Sequence, residues 1–121
     1  MKRKGNSELE KILRSFMNIE AVLAAVVVNS EGVLLESNVS KGVNTKVLLS
    51  NYDLLSIAKE KGEKLKKGNL NEIILSFENA KLIIKKVNAD AVLLALIGKE
   101  ANLQLIELEI KRAARKIKKV V

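Results

Sequence analysis

Three short apolar runs crowd the second half of this chain: Leu70 to Phe77, Lys81 to Val87 and Ala91 to Gly98, with three-residue breaks between them. Runs of this length, rich in Ile, Leu and Val, fit strands better than helices. Breaks so short leave no room for a crossover helix, so the strands must pair antiparallel as a meander. A helix opens immediately afterwards at Asn102-Leu103 and ends in a basic stretch. Nothing in this half looks like a catalytic motif. The pattern describes a surface and what docks on it.

The first half is patterned as clearly. Ser7 followed by Glu10 reads as a capping box, and Leu9, Ile12, Leu13, Phe16 and Met17 then give a helix one buried face. Val22 to Val28 is apolar throughout, so a strand there should be covered on both sides. Asn29-Ser30-Glu31-Gly32 makes a turn in which Gly32 can take positive φ, and Val33 to Ser37 completes a less buried hairpin. Asn44 or Thr45 is expected to cap a long second helix running to about Lys67, where Gly68 stops it. Val47, Leu48, Leu54, Leu55, Ala58, Gly62 and Leu65 form the stripe expected to face the sheet. Leu49 and Ile57 fall off that stripe, beside Ser50, Asp53 and Ser56, and Tyr52 sits at its border. The final helix buries Leu103, Ile106, Ile110, Ala113, Ala114 and Ile117 and turns Arg112, Arg115 and Lys119 outward.

The element order is thus α-β-β-α-β-β-β-α, an α+β chain of one domain over 7–119 preceded by a basic tail over 1–6. The two strands that are apolar at nearly every position, Val22 to Val28 and Ala91 to Ile97, belong in the sheet centre. This gives a five-stranded antiparallel sheet of order 2-1-5-4-3, with the second helix on one face and the first and last helices on the other. The third strand falls at an edge, yet Glu72-Ile73-Ile74-Leu75-Ser76-Phe77 carries no Pro and no Lys. Soluble proteins usually protect such an edge. Pairing with a copy of itself is the simplest account.

Composition narrows the function. With no Cys and no His, thiol chemistry, imidazole bases and the usual zinc sites are excluded. The six glycines are isolated, so no phosphate-cradling loop is expected, and neither is a metal or cofactor. The reading is of a chain that is not an enzyme. Two Met, no Pro and abundant Lys, Glu and Ile look thermophilic. No apolar run approaches the roughly 20 residues that cross a bilayer, and no signal segment follows the basic start, so a cytoplasmic location is expected. The net charge of +8 raises the question of an anionic partner. Lys111, Arg112, Arg115, Lys116, Lys118 and Lys119 crowd the end of the last helix. A helix C-terminus favours cations anyway, so a solvated face is the first reading; a binder of acidic protein, anionic membrane or nucleic acid, or a purely structural scaffold subunit, is the alternative. With two Phe and one Tyr, base-stacking platforms are missing and nucleic acid is not the expected partner.

Three segments resemble the roadblock / dynein light chain family, in particular its single-domain prokaryotic members of the Mgl-regulator type. They are the hairpin Ala21 to Gly32, the strand pair Ile73 to Phe77 with Leu82 to Val87, and Ala91 to Ile97 leading into Asn102-Leu103 and Ala113 to Ile117. One departure is Gln104, where the family usually has Gly. The resemblance implies a profilin- or longin-like fold and a homodimer joined through Glu72, Ile73, Ile74, Leu75, Ser76 and Phe77, with Leu49 and Tyr52 from the second helix. It also implies a docking platform on the paired second helices, supplied here by Leu49, Ser50, Asp53, Ser56, Ile57 and Glu60, for a Ras-like small GTPase or a signalling complex.

Overall fold

The computed structural model describes residues 4–121. Helix α1 (Lys4–Met17) leads into the hairpin of β1 (Val22–Asn29) and β2 (Leu34–Val39). Two short helices follow, α2 (Thr45–Leu49) and α3 (Leu54–Gly62), and a single 3-10 turn over Glu63–Leu65 continues the chain. The meander β3 (Glu72–Ser76), β4 (Ala80–Asn88) and β5 (Ala91–Gly98) comes next, and α4 (Leu103–Lys118) completes the fold. The strands form one antiparallel sheet in the expected order, β2-β1-β5-β4-β3.

Alternation along the strands divides the core between the two faces. Ala25 and Val27 of β1, with Ile83, Leu93 and Ile97, face α1 and α4, where Leu13, Phe16, Ile106, Ile110 and Ile117 cover them. Ala24, Val26 and Val28 turn the other way with Leu82, Ile84 and Leu94, toward α2 and α3. The two layers are unequal. Among the described residues, α1 and α4 supply eight buried apolar side chains to their cluster, and α2 and α3 supply Leu48 and Leu55 to theirs.

Two expectations need correction. Helix α1 begins at Lys4, so Ser7 lies inside the helix and does not cap it. A Gly at position 5 disfavours a helix by only about 1 kcal/mol relative to Ala, and no Pro blocks the extension. The tail residues 1–3 lie outside the described residues.

The long second helix is in fact two. At its break, Ser50 Oγ donates to Val47 O at 2.6 Å and Asn51 Nδ2 donates to the same oxygen at 3.1 Å. These side chains occupy a carbonyl that a continuing helix would use. The backbone tightens at the same place, with Asn51 and Tyr52 N–H bonding to Leu48 O and Leu49 O three residues back. The helix is interrupted there, and the expected stripe holds except at its two ends. Leu48 and Leu55 are buried, Leu54, Ala58 and Gly62 are half-buried, and Val47 and Leu65 are exposed at 63% and 71%. The caps hold where the sequence is explicit: Asn44 Oδ1 accepts from Val47 N–H and Asn102 Oδ1 from Leu105 N–H.

Candidate functional site

Among the described residues, β3 pairs only with β4, in a register that sets Glu72 opposite Lys85 and Ser76 opposite Lys81. Its other edge is open. Phe77 N–H bonds to Ala80 O at 2.8 Å, and Asn71 O accepts from Lys86 N–H at 2.9 Å. Hydrogen-bonded pairs recur at every second residue of an antiparallel ladder. Ile73 and Leu75 therefore turn their backbone groups to β4, while Glu72, Ile74 and Ser76 turn theirs to the open edge. The side chains divide the opposite way between faces: Ile73 and Leu75 pack with the α2–α3 cluster, and Ile74 stands on the other face, 36% exposed.

Beyond the end of β3, Phe77 is 60% exposed. It borders an open groove of about 390 Å³ on the α2 side, lined chiefly by Val43, Val47, Leu48, Leu82 and Leu96. This groove is the part of the sheet that the short α2 leaves uncovered. A continuous helix with Val47 inward would have filled it, which is why the periodicity of the sequence conceals it.

The remaining platform residues lie on α2, α3 and the break between them. Ser50, Asp53, Ser56, Ile57 and Glu60 are exposed, with Ile57 at 49%. Leu49 is half-buried against the α2–α3 cluster, so it is less free than its place off the stripe implied. Tyr52 does not stand beside β3. Its ring lies against Gly32 in the β1–β2 turn, at the opposite side of the sheet. Asp53 and Ser56 instead border a second, more polar groove of about 370 Å³ together with Tyr52, Lys59 and Lys86. Val47, Ile57 and Leu65, with Phe77 beyond the end of β3, are exposed apolar side chains of this face.

The six residues of the expected basic patch are on the far layer. Lys111, Arg112, Arg115, Lys116, Lys118 and Lys119 are exposed on or just after α4. Among the described residues no polar or charged side chain is buried, and no group of three acidic side chains is placed to hold a metal ion. None of the helices there is long and apolar enough to cross a membrane.

A family model described as AF0774-like protein matches residues 6–111. The chain belongs to the AF0774-like family. No curated protein matches it in sequence. In structure this AF0774-like chain is similar to Myxococcus xanthus MglB, with a TM-score of 0.87 at 16% identity over 99% of this chain and 92% of that one. The gliding protein MglB of Thermus thermophilus gives 0.82 at 13% identity over 99% and 93%. A roadblock/LC7 domain of Streptomyces avermitilis gives 0.72 at 12% identity over 94% of both chains. The AF0774-like chain thus has the roadblock fold that its sequence segments resembled.

Proposed function

We propose that this chain is a non-enzymatic homodimeric adaptor that docks a Ras-like small GTPase on its α2–α3 face. The observation that carries the reading is the open edge of β3 beside an incompletely covered apolar face. Ile74 offers its N–H and C=O to solvent, Phe77 and Val47 stay exposed on the groove just past that strand, and Ile57 is exposed on α3. A second copy of β3 satisfies the open backbone groups and extends the sheet. The likeness in fold to MglB and to roadblock domains supports the same arrangement.

A regulator of this kind acts by holding its partner and not by supplying chemistry. An arginine finger would have to come from the docking face. The arginines of the described structure, Arg14, Arg112 and Arg115, lie on α1 and α4, behind the sheet from that face. Stimulation of GTP hydrolysis then rests on ordering the partner's own switch segments.

The test is calorimetric titration of the purified protein with the Ras-like GTPases of its source organism, each loaded with GDP or with a non-hydrolysable GTP analogue. Nucleotide-dependent binding that Ile57→Ser weakens is the expected result. The reading fails if none of those GTPases binds, or if the protein alone hydrolyses nucleotide in proportion to its concentration after repurification.

A further inference from the structure

We propose that the outward ridge of α4 is a docking surface for an anionic lipid membrane. Leu105, Leu108, Arg112, Arg115 and Lys119 follow one another at steps of three and four residues, so they lie in one line on the helix. That line points away from the sheet, because Ile106, Ile110, Ala113 and Ile117 fill the opposite side. The first half of the ridge is apolar, with Leu105 47% and Leu108 44% exposed, and the second half is cationic.

Most of the charge is unpaired. From Lys111 to Lys119 there are six cations and no carboxylate. Arg112 is held by Glu109 at 2.7 Å, whereas Lys111, Arg115, Lys116, Lys118 and Lys119 make no ion pair among the described residues. The helix dipole accounts for cations in the last turn alone. Lys111 and Arg112 stand earlier than that.

Two exposed leucines in line with unpaired cations match the two layers of an anionic bilayer surface. The apolar pair enters the acyl boundary, and the flexible basic side chains reach phosphate-bearing headgroups. A nucleic acid offers the phosphates but nothing for the leucines, and the ridge has no aromatic residue on which a base could stack.

The surface also fits the dimer, on which this further step rests. Two identical strands pairing antiparallel edge to edge are related by a two-fold axis perpendicular to the sheet. Both α4 ridges then lie on one side and both α2–α3 faces on the other. A dimer sits on the membrane through two ridges and holds its docking platform away from it, with the gain of two linked contacts.

The test is co-sedimentation with vesicles of phosphatidylcholine alone and of equal parts phosphatidylcholine and phosphatidylserine, with no GTPase present. The expected result is binding to the mixed vesicles only, weakened by raising salt. Arg115→Gln with Lys119→Gln should weaken it about tenfold or more, and Leu105→Ser with Leu108→Ser about fivefold. Both variants keep the parent melting temperature, since all four side chains are exposed. Equal binding to neutral vesicles, no binding to anionic ones, or leucine variants that bind like the parent overturns the proposal. So does tighter binding to a short DNA duplex than to the mixed vesicles. Failure here is separable from failure of the GTPase reading, because the vesicles are titrated without a GTPase. A parent chain that proves monomeric removes the doubled contact and leaves each ridge to be judged by the same vesicles.

Discussion

Tyr52 rests on Gly32. A side-chain carbon at position 32 would lie 2.8 Å from Cζ of the tyrosine ring, and Gly32 has a φ of +82°. Two independent constraints therefore demand glycine there: a left-handed backbone and a ring pressed onto it. This contact links the break between α2 and α3 to the β1–β2 turn. It is how the thin layer is tied to the far side of the sheet.

Gly32→Ala should cost about 2–3 kcal/mol in urea unfolding, through backbone strain and the clash together. Tyr52→Ala on its own removes a half-buried ring and should cost about 1–2 kcal/mol. The double variant should be less destabilised than the sum, because removing the ring cancels the clash and leaves the strain. Additive costs within error would mean that ring and turn are uncoupled.

The chain has one Tyr and no Trp, so its tyrosine circular dichroism and fluorescence report on this contact alone. Replacing Ser50 and Asn51 with Ala frees the Val47 carbonyl for a longer helix. Far-ultraviolet helicity should rise while the near-ultraviolet tyrosine band falls, as a continuous helix rotates Tyr52 off Gly32. An unchanged tyrosine band would mean the break does not depend on those two side chains.

Neighbouring residues of β3 should respond differently to proline. At Ile74 the lost N–H faces the open edge, so on the proposed edge pairing the parent should be a dimer in light scattering and Ile74→Pro a folded monomer. At Ile73 the lost N–H belongs to the ladder with β4, and Ile73→Pro should destabilise the fold by about 1 kcal/mol or more. A parent of about 13 kDa at micromolar concentration would sink the edge-pairing reading.

Ile110 is fully buried among side chains from two helices and three strands, and Ile110→Ala should cost about 3–4 kcal/mol. Leu48→Ala should cost less, near 2 kcal/mol, because Leu48 borders an open groove into which the site can collapse. Chemical denaturation of the two variants at a concentration where the protein is monomeric decides the comparison. Equal costs would mean the groove closes in solution.

Strand order was legible because β1 and β5 are apolar at both parities, which only central strands tolerate, and because the turns between β3, β4 and β5 are too short for any other pairing. The caps at Asn44 and Asn102 were legible for a similar reason: one side-chain oxygen and one free N–H suffice. The second helix was misread because periodicity assumes a constant phase. Ser50 and Asn51 interrupt the helix through side-chain hydrogen bonds to the Val47 carbonyl, a local effect that periodicity does not register. Tyr52, expected at the border of the stripe, is half-buried, and its contact with Gly32 carries no signal in the sequence. Leu105 and Leu108 carry no such signal, because apolar residues off the buried stripe of a helix are common on protein surfaces.

The unequal layers also bear on how long a copy of this protein survives. With Leu48 and Leu55 as the buried anchors of α2 and α3, that layer should open locally far more often than α1 and α4. Opening bares an apolar sheet face to proteases, and a bound partner suppresses it by mass action. If the chain holds a partner as proposed, copies without one are degraded first, and its abundance should follow that of the partner.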